Sequence, residues 1–103
     1  EYFIESSPVW ASASGMPDVD DALLEAFAKI LRKQRTAAGL SQEELAHRAG
    51  VSMRYVSLLE SHRHQPSLAT IHGLCQGLGL SMVELIGAVE AELESRGHNS
   101  SLV

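Results

Sequence analysis

The chain has 103 residues, with 45% hydrophobic and 20% charged side chains, enough for one modest core. Its single cysteine, Cys75, excludes an internal disulfide and any cysteine-based zinc site, and no apolar run approaches the roughly 20 residues that span a bilayer, so no membrane association and a cytoplasmic place are expected. The formal charge of −5 looks wrong for a partner of nucleic acid, but residues 28–72 carry seven Lys and Arg against three acids, while both flanks are acidic. A local basic stretch matters more to a polyanion than the total charge does.

The opening EYFIESSPVW has acidic charges and no basic n-region, so it does not read as a signal peptide. Residues 1–17 read as an irregular arm or an upstream extension, with Met16 a candidate natural start and Trp10 able to lie on an apolar surface. A first helix is predicted from about Val19 to Ala37. Asp18, Asp20 and Asp21 crowd its start, where carboxylates suit free N–H groups. Leu23, Phe27, Ile30 and Leu31 form one apolar stripe, and Gly39-Leu40 stops the helix.

Ser41-Gln-Glu-Glu44 is a capping box that opens a second helix, about Gln42 to Ala49, with Leu45, Ala46 and Ala49 inward. Gly50 ends it, and Ser52 caps a third helix, about Met53 to Ser61, with Val56 and Leu59 inward. The polar loop SHRHQPS follows. Ser67 then caps a fourth helix whose Leu68, Ile71, Leu74, Cys75 and Leu78 share a face. A second capping box, Ser81-Met-Val-Glu84, opens a fifth helix with Leu85, Ile86, Val89 and Leu93. Gly87 is a candidate break in it, and residues 97–103 read as a flexible tail beyond a domain of residues 18–96. No stretch alternates apolar and polar residues as a strand does, so the fold class is all-α with five helices.

The informative stretch is SQEELAHRAGVSMRYVSLLE, residues 41–60. Two short helices flank a tight turn, Ala46 is small where they cross, and Gly50 can take the positive φ the turn requires. Gln42, Ala46, Gly50, Val56 and Glu60 at these spacings make a helix-turn-helix from the second and third helices. Residues 24–86 resemble the lambda-repressor-like, Cro/Xre-type domain across all five helices. SMRYVSLLESHRHQPSL is similar to small stand-alone regulators, including restriction–modification controller proteins. Ser61-His62-Arg63-His64 departs from the family, many members of which carry a glycine and more basic residues there.

The resemblance implies double-stranded DNA as the partner, with the third helix in the major groove. Gln42, beside Ser41 at a helix N-terminus, is placed to meet a phosphate. Ser52, Met53, Arg54, Tyr55, Ser57 and Leu58 lie on or beside the groove face. Arg54 has the fork that suits guanine O6 and N7, and Met53 and Leu58 suit thymine methyls or are simply exposed apolar residues. Tyr55 and Ser57 read as phosphate contacts, as do His62 and Arg63 in the following loop. Arg35 and Glu60 match an arginine–glutamate pair that ties the first helix to the third in many family members. An acidic patch beside the groove, here Glu43, touches RNA polymerase in some family activators; the plainer role is a favourable charge at a helix N-terminus.

One such domain covers about half a turn of DNA, so a homodimer on a two-fold operator is expected. Leu85, Ile86, Val89 and Leu93 are its candidate interface, unless the first two complete the monomer core. The competing reading is an antitoxin-type protein-binding module that regulates its own operon. The His62-x-His64 pair lacks a third ligand at useful spacing, and Cys75 reads as a buried hydrophobe, so neither metal nor cofactor is expected. No catalytic constellation falls on a shared face, so an enzyme is not expected either.

Overall fold

The computed structural model describes residues 17–101, with side chains from 21 to 96. The expectations for the arm, Trp10 and Met16 lie outside the described residues. Five helices follow one another: α1 (Pro17–Ala37), α2 (Gln42–Ala49), α3 (Met53–Glu60), α4 (Leu68–Leu78) and α5 (Met82–Ser101). No strand occurs among the described residues, and no single helix there is long and apolar enough to cross a membrane.

The helix starts are fixed by side chains within a few residues. Ser41 Oγ accepts from the Glu44 N–H at 3.0 Å while a Glu44 carboxylate oxygen accepts from the Ser41 N–H at 2.8 Å. Ser81 and Glu84 repeat the arrangement at 3.0 and 2.8 Å. Ser52 and Ser67 cap α3 and α4 by accepting from the N–H groups of Tyr55 and Thr70. Each such cap is worth about 1 kcal/mol. Gly50, at φ 77°, turns the chain between α2 and α3. Its neighbour Val51 donates its N–H to the Ala46 carbonyl at 3.0 Å, which closes the end of α2.

Leu31, Leu45, Val56, Leu59, Leu74 and Leu85 are fully buried, one or two from each helix, with Phe27, Ile30 and Val89 around them. Each contributes about 1.5–3 kcal/mol of burial. α4 lies hard against α2. A Cβ on Gly73 would stand 2.9 Å from the Ala49 carbonyl oxygen, and one on Gly77 would stand 3.1 Å from Arg48 Cβ and Leu45 Cδ1. Ala46 is buried as expected, but these two glycines make a second close approach that the sequence reading did not assign.

Four expectations change. Leu68 is 70% exposed, because as the first residue of α4 it precedes the turn that reaches the core. Leu23 is 40% exposed, and the inward stripe of α1 is continued by Ala26 beside Phe27, Ile30 and Leu31. Gly87 does not break α5, which runs on through residues 97–101. Leu85 and Val89 are buried in the protomer's own core, Val89 also at the wall of an apolar groove, whereas Ile86 is 41% exposed and Leu93 half-buried. A helix repeats every 3.6 residues, so a four-residue apolar cluster spreads over two faces, and α1 and α4 claim only one of them.

Candidate nucleic-acid interface

α3 is held by a buried ion pair. Glu60, at its last turn, is the one buried charged residue among the described residues, with its side chain 1% exposed. Arg35 of α1 donates to both its oxygens, from Nε at 2.6 Å and Nη2 at 3.0 Å, and sends Nη1 to the Leu40 carbonyl at 2.8 Å. The fork-to-fork geometry fixes orientation as well as distance. The pairing expected of Arg35 and Glu60 is therefore present.

Two further groups meet the same carboxylate. Gln42 Nε2 donates to Glu60 Oε1 at 3.0 Å, and Arg32 Nε stands 3.6 Å from the same oxygen. Neither contact was read from the sequence. Arg32 carries one signal, its place one turn before Arg35; Gln42 carries none, since 18 positions separate it from Glu60. Burial pushes the Glu60 carboxyl up, but the hydrogen bonds from Arg35 and Gln42 and the charges of Arg35 and Arg32 outweigh it and hold the group below its ordinary range. The hydrogen bond to Glu60 raises Arg35 further still, against the opposing effect of burial.

The other side of α3 is open. Met53, Arg54 and Ser57 are exposed, with Tyr55 and Leu58 half-buried beside them. Arg54 has no ion-pair partner among the described residues. Tyr55 packs partly against the core and meets His64 edge to face, with ring centroids 4.9 Å apart. The sequence marks His64 as half of a His-x-His pair but not as a partner of Tyr55, and this contact fixes the tyrosine ring at the rim of the face. Ser41 and Ser52 serve as caps while their hydroxyl protons remain available. Gln42, half-buried at the start of α2, uses one amide N–H on Glu60 and keeps a second. His62 and Arg63 are exposed in the loop after α3.

This arrangement presents one guanidinium, small hydroxyls and apolar groups on a helix eight residues long, bordered by the N-terminus of α2 and a basic loop. A helix so exposed fits the width of the DNA major groove, and the bordering donors suit phosphate oxygens. Elsewhere, Leu23, Phe27, Ile71, Ile86, Val89 and Leu93 line an apolar groove of about 400 Å³ between α1, α4, α5 and the loop after α3. Cys75 is buried, as expected, and burial, then the Glu84 charge, pushes its thiol up.

A family profile described as helix-turn-helix matches residues 31–85. The HTH-type transcriptional regulator y4dJ of Sinorhizobium fredii is 43% identical over 60 residues, covering 58% of this chain and 73% of that protein. Among solved structures, the clp gene regulator ClgR from Corynebacterium glutamicum aligns with a TM-score of 0.71 at 29% identity, over 78% of this chain and 85% of that one. The restriction–modification controller protein C.AhdI from Aeromonas hydrophila aligns with a TM-score of 0.59 at 40% identity, over 60% of this chain and 94% of that one.

Proposed function

The chain belongs to the helix-turn-helix family of DNA-binding transcriptional regulators, and from that membership we propose that it acts as a homodimer on a two-fold operator, reading bases through α3. The observation that carries the reading is Arg54. It has no ion-pair partner among the described residues and stands on the open face of a helix that Arg35 and Glu60 lock in place. A guanidinium on a rigid support can commit both N–H groups to a guanine edge with little loss of entropy. Ser41, Gln42, Ser52, Tyr55, Ser57 and Arg63 border it as phosphate contacts, His62 meets a phosphate farther along the strand, and Met53 and Leu58 offer apolar surface to thymine methyls.

The second copy occupies the apolar groove through Ile86, Leu93 and Leu23, which leaves Leu85 and Val89 to the protomer core. This groove is apolar surface that one chain leaves uncovered, and a two-fold pair covers both copies at once. Control then follows from occupancy of the operator, in the cytoplasm. The exposed Glu43 serves the free N–H groups of the first turn of α2, so occupancy requires no RNA polymerase contact from it.

The test is binding to an operator recovered by in-vitro selection, to single-base variants and to random duplex, over a range of salt. Arg54→Ala is expected to cost about 1–3 kcal/mol per half-site and to relax the choice at one base pair. Arg63→Ala is expected to weaken all sequences alike and to lower the salt slope by about one unit per half-site. The two variants lose the same charge, so uniform loss in both would refute base reading by Arg54. No change in either would remove DNA from this face and favour a protein partner instead.

A further inference from the structure

Four helix ends in this fold use the same closing hydrogen bond. Leu40 donates to the Arg35 carbonyl, Val51 to Ala46, Leu80 to Cys75 and Arg63 to Leu58, each at 3.0–3.1 Å. In three of them the residue before the donor is a left-handed glycine: Gly39, Gly50 and Gly79, at φ 75–77°. After α3 that residue is His62, at φ 49°, the one non-glycine with positive φ among the described residues. A side chain there strains the backbone, and a glycine would relieve it. A retained strain of this kind points to use of the side chain.

The imidazole of His62 lines an open groove of about 600 Å³ together with Arg32, Lys33 and Thr36 of α1. Charge is divided unevenly along it. At one end Lys29 and Arg96 are spent on Glu92 and Glu25, at 3.0–3.3 Å. At the other, Arg32 and Lys33 line the groove beside Glu60, whose two oxygens Arg35 already holds. Arg32 keeps 64% of its side chain exposed, and Lys33 is exposed with no ion-pair partner among the described residues. Positive charge therefore collects where α1 meets the end of the recognition helix.

We propose that Arg32, Lys33 and His62 form a second phosphate clamp, which grips the DNA backbone outside the bases that α3 reads. It rests on the DNA-reading role proposed for α3, and adds the flank of α1 to the contacting surface. An ammonium, a guanidinium and an imidazole N–H converging on one groove make three donors for phosphodiester oxygens, none of which reads sequence.

The experiment measures binding of the full chain to the selected operator in two lengths, one trimmed to the bases read and one extended by about five base pairs on each side. Lys33→Ala touches no ion pair among the described residues. It is expected to weaken binding to the long duplex alone and to lower its salt slope by about one unit per half-site. His62→Gly is expected to raise the melting temperature while also weakening binding to the long duplex, a combination that a purely structural role does not give. Arg54→Ala serves as the control and is expected to change base preference on both lengths. If Lys33→Ala and His62→Gly bind the long duplex as the parent does, or lose equally on both lengths, the clamp is overturned while Arg54 still reports base reading. If Arg54→Ala leaves preference unchanged as well, the DNA-reading role of α3 fails and the clamp fails with it.

Discussion

Replacing Glu60 by alanine tests how α3 is held. Glu60 accepts three hydrogen bonds, two from Arg35 and one from Gln42, and its side chain is 1% exposed. Removing it leaves a guanidinium that is 13% exposed without its counter-charge and a half-buried amide without its acceptor. Loss of one partner of a buried pair costs about 3–5 kcal/mol. Arg35 keeps its bond to the Leu40 carbonyl and some contact with water, which places the cost at the low end, about 3 kcal/mol. For a domain of this size, each kcal/mol moves the melting temperature by about 4–8 °C, so a fall of about 12–24 °C is expected. The assay is a double-mutant cycle with Arg35→Met and Glu60→Leu, read by thermal and urea unfolding. Each single change exposes one half of the pair, whereas the double change removes both charges, so the effects are expected to be non-additive by about 2 kcal/mol. Operator binding by Glu60→Ala, measured below its melting temperature, is also expected to weaken, because Gln42 is no longer aimed. Additivity within about 0.5 kcal/mol would show that the pair does not couple α1 to α3.

Acid should weaken the same element. Glu60 sits below its ordinary value of 4.5 in the folded chain, so its contribution is present in full above about pH 4.5 and is lost as pH falls through the folded value. Glu60→Gln is expected to flatten the melting temperature profile between about pH 6 and 3, and an unchanged profile would assign the acid sensitivity elsewhere. Gly73→Ala should destabilise by about 1–3 kcal/mol despite its better helix propensity, because the new methyl meets the backbone of Ala49 at 2.9 Å; a rise in melting temperature would show that α4 can slide away from α2. Gly87→Ala, with nothing within 4 Å of the added carbon, should instead stabilise by about 1 kcal/mol in urea unfolding, and a loss would reveal a neighbour that one chain does not contain. Ile86→Asp should give monomers by light scattering with little change in monomer fold, and a dimer that survives it would move the interface away from the apolar groove.

Local sequence signals set the starts of α2, α3, α4 and α5 and the ends of α1, α2 and α4. Ser41 with Glu44, Ser52, Ser67, and Ser81 with Glu84 act over three residues, and Gly39, Gly50 and Gly79 act on their own φ, so their effect needs no knowledge of the fold. The helix-turn-helix was legible from the same local signals at fixed spacings, whereas the open face of α3 and the pairing of Arg35 with Glu60, 25 positions apart, were implied only by the family resemblance. Which apolar residues are covered depends on how the helices pack. Leu68 and Leu85 are alike on paper, yet one is 70% exposed and the other fully buried, because burial depends on the direction in which neighbouring helices cross. Gln42 bonding to Glu60, Gly73 against Ala49, and Arg32 and Lys33 in a groove with His62 each join residues at least 18 positions apart. Local rules end at about one helical turn, and such contacts are set by how α1, α2, α3 and α4 lie on one another.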